Sequence, residues 1–325
     1  MPSSHTILVT GATGRQGSAT IRALLALSTQ LTTPLTIHAL VRNPSSARAQ
    51  ALAALSPSIK LFAGTFEDGD SLTAAARSCT ALFLLTVPNP HSPDTELAHA
   101  RAVLAAAKNA RTVQRVVYSS ASLIGAEEAY DELERWPGMA WYMRAKRAVE
   151  EAVLGAGFSA GATVLRPAML WTNFVGGVAG AMYPGLKEEG VLRTALEPGH
   201  RVGCLDPADV GAFAARALVE YGDVGGEVWR DRVVPLASRR MTMGEMAEGL
   251  TRAVGGRRRV SVVQISEEEL GAGERSTVVE SELFRNRFRV VVDLEEVRAY
   301  GVRLGTWEEF VEREREGIEV ALGLA

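Results

Sequence analysis

Tyr142 and Lys146 stand four residues apart in the stretch Trp141 to Leu154, which is helical by composition, so both side chains fall on one face, one turn from each other. A phenol with a reference pKa of about 10 exchanges protons poorly at neutral pH. A neighbouring ammonium favours the phenolate and lowers that value, which makes the pair a candidate for acid–base chemistry. The same spacing also fits an interfacial tyrosine beside a surface lysine, so the surrounding elements have to decide. A second chemical signal is the run Gly11-Ala12-Thr13-Gly14-Arg15-Gln16-Gly17, with glycines three apart and Thr13, Arg15 and Gln16 between them. Such a turn lets backbone N–H groups at a helix N-terminus face an anion, with no Cβ to block the turn or the phosphate, and it predicts a bound pyrophosphate.

The elements that must position these residues follow from periodicity. Thr6 to Thr10 is a β-prone apolar run and Ser18 to Leu27 carries apolar side chains at helical intervals, so the glycine turn joins a strand to a helix. Strands follow at 34–42, 59–64, 81–88 and 116–120, the fourth an apolar run of the kind buried on both faces of a parallel sheet. This alternation predicts an α/β fold, a Rossmann-type doubly wound parallel sheet. Arg42 closes the second strand, where an arginine pairs with a 2′-phosphate and an acid would bond a 2′-hydroxyl. With Arg15 as a second phosphate partner, the expected cofactor is NADP(H). The edge Thr86-Val87-Pro88 is expected beside the nicotinamide ribose, and the fifth strand ends in the hydroxyls Ser119 and Ser120.

Domains are expected at 1–168, the dinucleotide-binding part with pieces of 200–235 returning to it, and at 169–325, a smaller mixed α/β substrate lobe. After Asn173 the sequence is glycine-rich and irregular, which predicts an adjustable loop on one wall of an apolar pocket formed by residues 168 to 183. Pro207 should open a helix after Asp206, Thr242/Glu245 and Thr306/Glu309 read as capping boxes, and Arg289 to Val292 reads as a short strand.

Several function classes find no support. A net charge of -3 with 22% charged residues gives no phosphate-tracking patch, and Arg257-Arg258-Arg259 reads as a solvated turn, so no nucleic acid is expected. His91, Asp94, Glu96 and His99 match no metal spacing with a mechanism. No apolar run reaches the roughly 20 residues that span a bilayer. Two distant cysteines, Cys79 and Cys204, and a first strand too near the N-terminus to leave room for a signal peptide predict a cytoplasmic protein.

The G-x-x-G-x-x-G spacing resembles the extended and atypical branches of the short-chain dehydrogenase/reductase superfamily. The run from Lys146 through Glu150 to Arg166-Pro167 and Asn173 resembles its NmrA-like group, over about Thr6 to Asp209. The resemblance implies that Lys146 also bonds the nicotinamide ribose, that Ser120 holds the substrate oxygen, and that Arg166 and Pro167 support the nicotinamide end. Relatives carry Gly-Asp where Gly64-Thr65 stands, the aspartate contacting adenine; Thr65 and Phe66 are counted with the cofactor residues here. Many NmrA-like members lack the tyrosine, so Tyr142 draws the chain toward the catalytic branch. Met169, Trp171, Asn173 and Phe174 are the candidate substrate residues, with ordinary core packing the alternative for Met169, Trp171 and Phe174.

Three readings compete: an NADPH-dependent reductase of a small apolar ketone, enone or imine; an NADP(H)-binding redox sensor without turnover; and a cofactor-assisted cyclase or isomerase. Tyr142 favours the first and third.

Overall fold

The structure, a computed structural model, describes residues 4–220, 226–271 and 276–325. From the N-terminus the first elements are β1 (His5–Val9), α1 (Arg15–Ser28), β2 (Leu35–Val41), α2 (Ala47–Ala53), β3 (Ile59–Ala63), α3 (Gly69–Ala76), β4 (Ala81–Leu84), α4 (Asp94–Asn109), β5 (Arg115–Ser119), α5 (Pro137–Leu154) and β6 (Ala162–Pro167). Next come β7 (Met169–Leu170), α6 (Gly176–Met182), α7 (Gly185–Glu189), β8 (Val191–Thr194), β9 (Val202–Leu205), α8 (Pro207–Val219), β10 (Arg232–Leu236) and β11 (Arg239–Met241). The chain closes with α9 (Met243–Ala253), β12 (Ser261–Gln264), α10 (Glu267–Gly271), α11 (Thr277–Arg287), α12 (Leu294–Ala299), α13 (Trp307–Arg313) and α14 (Arg315–Ala321).

Seven strands form the central sheet in the order β10-β6-β5-β4-β1-β2-β3. The pairs from β6 through β3 are parallel, with Ile7 opposite Ile37 on one side and Ala81 on the other. The order reverses beside β1, which makes the sheet doubly wound and sets a crevice at the carboxyl ends of β1 and β4. The Thr10 hydroxyl ties those two ends together: Leu85 N donates to it at 2.7 Å and it donates to Leu85 O at 3.1 Å. Helix α8 returns against α1 so closely that a Cβ on Gly211 would sit 2.5 Å from the carbonyl carbon of Ala19.

The chain divides into two compact units, one of Met1–Ile124, Tyr142–Arg166 and Pro207–Val234, the other of Gly125–Trp141, Pro167–Asp206 and Pro235–Ala325. Within the span 1–168 expected for the dinucleotide domain, residues 125–141 thus cluster with the second unit. The contacts that hold them there are specific: Met139 N donates to Glu280 Oε1 at 3.1 Å, and the Trp136 ring meets Phe284 edge-on at 5.5 Å. The second unit has its own core, centred on Trp171, Phe174, Tyr183, Met246, Trp307 and Phe310.

Two local expectations are corrected. Arg289 to Val292 is not a strand. It pairs with no strand among the described residues, Val291 is exposed, and the Val292 carbonyl is met by the Arg240 guanidinium at 2.8 Å. The glycine-rich run at 176–182 is the helix α6, not an irregular loop. The helix forms despite the poor propensity of glycine, with Ala179 buried and its N-cap Val175 close to α14, where a Cβ on Gly317 would lie 2.4 Å from Val175 Cγ1.

Candidate functional site

The glycine turn leaves β1 through Gly11, whose φ of +60° lies in the left-handed region that favours glycine. Gly14 N bonds Gly11 O at 2.9 Å and closes the turn, and a Cβ on Gly17 would stand only 2.2 Å from the same carbonyl. Gly14 is the N-cap of α1, makes no side-chain cap, and no acid stands in the first turn. The N-terminus of this 14-residue helix thus carries no side-chain cap and no acid to compete with an anion, and the bare glycines keep the cradle open. Thr13, Arg15 and Gln16 are half-buried in this turn, and Gln16 Oε1 accepts from the Ser119 hydroxyl at 2.5 Å, which links the turn to the end of β5. Arg42, just past β2, is exposed and forms no ion pair among the described residues. Thr65 is exposed and Phe66 half-buried, its ring 5.3 Å from that of His99.

At the ends of β4 and β5 the same unit holds a buried ionic cluster. Lys146 Nζ lies 2.7 Å from Glu96 Oε1 and donates to the Tyr118 hydroxyl at 3.2 Å. The Thr86 hydroxyl donates to the same Glu96 oxygen at 2.7 Å. Glu96 is fully buried and Lys146 nearly so, so each charge depends on the other for what it lost by leaving water. Burial pushes the Tyr118 phenol well above its usual value, and the carboxylates of Glu96 and Glu150 push it further, against the opposing influence of Thr86 and Ser120. Tyr118 is therefore a neutral phenol at physiological pH, able to accept from Lys146. Ser120 is buried, and its hydroxyl makes no bond of ordinary geometry among the described residues.

Arg166 and Glu150 form a second buried pair, with Nη2 2.6 Å from Oε2. Tyr142 is half-buried on α5. It is not among the partners of Lys146, whose hydrogen bonds go to Glu96 and Tyr118. Thr86 is buried, Pro88 half-buried and Val87 73% exposed. All these residues belong to the first unit. Pro167, Met169, Trp171, Asn173 and Phe174 belong to the second. There Trp171 and Phe174 have no exposed surface: one packs edge-on against Trp307 at 5.4 Å, the other stacks on Tyr183 at 5.1 Å. Met169 and Asn173 stay half-buried.

Sequence reasoning missed Glu96 and Tyr118 as partners of Lys146. A signal for Glu96 existed, because it shares a spacing of four, three and four with Ala100, Val103 and Ala107, all buried on α4. A carboxylate on an apolar helix face calls for a cation. Of the four polar residues weighed as a metal set, Glu96 is thus spent on Lys146, while His99 Nε2 lies 2.7 Å from Glu67 Oε1. No group of metal-ligating side chains occurs among the described residues, and none of their helices is long and apolar enough to cross a membrane.

The uncapped glycine turn at the switch point fixes a dinucleotide-type crevice, and the profile of the NmrA-like family matches residues 3–311. The chain belongs to the NmrA-like family. It is 30% identical over 219 residues to the (4-alkanoyl-5-oxo-2,5-dihydrofuran-3-yl)methyl phosphate reductase of Streptomyces griseus, a match covering 67% of this chain and 65% of that protein, just under two thirds of its length. The NADPH-dependent quinone oxidoreductase of Escherichia coli, solved with NADPH, superposes with a TM-score of 0.69 at 25% identity, covering 94% of this chain and 99% of that one. NmrA itself, a negative transcriptional regulator solved with NADP, shares the fold with a TM-score of 0.71 at 20% identity, covering 96% and 95%.

Proposed function

We propose that this NmrA-like protein is an NADPH-dependent reductase of a small apolar carbonyl compound or imine. The observation that carries the reading is the uncapped, glycine-built N-terminus of α1 at the carboxyl ends of the parallel strands, with the exposed Arg42 just beyond β2. The turn from Gly11 to Gly17 holds the pyrophosphate, Arg42 with Arg15 holds the 2′-phosphate, and Thr65 and Phe66 flank the adenine. Thr86, Val87 and Pro88 line the nicotinamide ribose, to which Lys146 donates, and Arg166 and Pro167 support the nicotinamide end. Bound NADPH supplies a hydride. Tyr142 then gives its proton to the carbonyl oxygen or imine nitrogen on which negative charge develops, and the buried Ser120 hydroxyl steadies that atom. Within the second unit, Trp171 and Phe174 serve the core, while Met169 and Asn173 stay half-buried.

The named activities of two relatives support a reductase, and both names denote conjugated carbonyl compounds, which favours an enone among the three substrate classes. A second reading, a nicotinamide-binding regulator without turnover, draws on the pairing of Lys146 with Glu96, which neutralises the cation that would activate a phenol. Titration of NADPH followed by its consumption with enones, ketones and imines separates the two. Binding with consumption is the expected result; tight binding without consumption across the three classes favours the regulator.

A further inference from the structure

We infer that Glu96 is a positioning residue, whose task is to hold the Lys146 ammonium in one orientation so that a single N–H is left to grip the ligand. The inference rests on the reading that Lys146 meets the nicotinamide ribose, and it adds the group that acts through it. An ammonium has three donors. One goes to Glu96 Oε1 at 2.7 Å and one to the Tyr118 hydroxyl at 3.2 Å, and no third partner stands among the described residues. The two partners come from different elements, α4 and β5, and Lys146 from a third, α5, so the lysine is fixed from two directions at the end of its long flexible stem.

Glu96 is itself fixed. Its Oε1 also accepts from Thr86 at 2.7 Å, and the side chain is wholly buried. Its other oxygen, Oε2, has no partner among the described residues. A buried carboxylate with one oxygen unbonded is a poor device for stability, since an apolar residue of similar volume would do as well or better. Its placement at the ends of β4 and β5, behind the lysine and beside Thr86, is what a positioning role requires. Tyr118 completes the arrangement because its phenol stays neutral and can accept without competing for the charge.

A double-mutant cycle in the full chain tests this, read by NADPH affinity and, without cofactor, by the rate at which acetic anhydride modifies Lys146. Glu96→Gln should weaken NADPH binding about tenfold, the loss of one directed charged hydrogen bond, and should speed acetylation of Lys146 several-fold as the lysine swings free. Glu96→Asp, which keeps the charge, should recover part of both. In a Lys146→Ala background, Glu96→Gln should change NADPH affinity no further, because the two act as a unit. Additive effects on affinity, or a Lys146 acetylation rate unchanged by Glu96→Gln, overturn the inference. Should Glu96→Gln fail to fold, Tyr118→Phe keeps the core volume and removes the other restraint, and the same two readouts apply with a smaller change expected; no change in either overturns it. A wild-type protein that does not bind NADPH at all would end the functional reading, while the acetylation rates would still decide whether Glu96 restrains Lys146.

Discussion

Glu150 clasps Arg166 side-on, with Arg166 Nε 3.0 Å from Oε1 and Nη2 2.6 Å from Oε2, and so fixes the arginine at the carboxyl end of β6 from a helix 16 residues earlier. Both charges are largely out of water, with side chains 16% and 4% exposed. Removing one partner leaves the other charge buried and alone. Glu150→Ala should therefore lower stability by about 3 kcal/mol, measured as the shift in urea midpoint times the slope. Arg166→Met, which removes the cation but keeps apolar bulk, should cost a similar amount by stranding Glu150. A double variant, Glu150→Met with Arg166→Met, should recover most of the loss.

The glycine turn makes a sharper steric demand. A methyl group at position 17 would lie 2.2 Å from Gly11 O, and that atom is backbone, which cannot swing aside. Gly17→Ala should cost about 2 kcal/mol of stability, in the range of overpacked cores, and should also abolish NADPH binding by displacing α1 from β1. Thermal unfolding and a cofactor titration on the same preparation read both effects. A variant with wild-type affinity would show that the turn is not the phosphate cradle.

Much of this was legible in the sequence because it is local. The glycine turn between its strand and helix and the two capping boxes are each written within a few residues. Thr242 and Glu245 exchange bonds at 2.8 and 3.1 Å, and Thr306 and Glu309 do so at 2.9 and 3.1 Å. What the sequence hid is long-range. Lys146 is 50 residues from Glu96 and 28 from Tyr118, so a Tyr-x-x-x-Lys spacing draws attention to Tyr142, whereas both partners of the lysine come from other elements. Arg289 to Val292 misled because β propensity is satisfied only beside another strand. For Trp171 and Phe174 the sequence left pocket wall and core packing open, because an aromatic residue carries no mark of which it joins.

Stability should also carry a specific pH signature from Glu282. Its carboxylate accepts from Ala195 N at 2.7 Å, yet burial raises its pKa above the usual range and outweighs that bond. A carboxyl whose folded pKa is raised contributes stability that is complete below its unfolded value of about 4.3 and is lost as pH rises through the folded value. Glu282→Gln, which keeps a carbonyl for Ala195 N and never ionises, should gain on the wild type as pH rises from 4 to 7. Paired urea unfolding curves at the two pH values check this. A difference between the proteins that does not change with pH would contradict it.

Cofactor choice should depend on Arg42, an exposed cation with no ion pair among the described residues. Arg42→Ala should weaken NADPH roughly ten- to a hundredfold and leave NADH nearly unchanged, as expected for one charge-assisted contact to a 2′-phosphate. The NADPH affinity of the wild type, but less so that of the variant, should fall with added salt. Fluorescence titration of both cofactors reads it. Equal wild-type affinities for NADPH and NADH would remove Arg42 from the site.

The reductase reading meets its most direct test in NADPH absorbance, followed with enones, ketones and imines for the wild type and Tyr142→Phe. The wild type should consume one NADPH for each product formed, and Tyr142→Phe should fold and bind NADPH as before but turn over about 10²–10⁴-fold more slowly, as when a general acid is lost. Product formed without loss of NADPH, or a Tyr142→Phe protein as fast as the wild type, would contradict it.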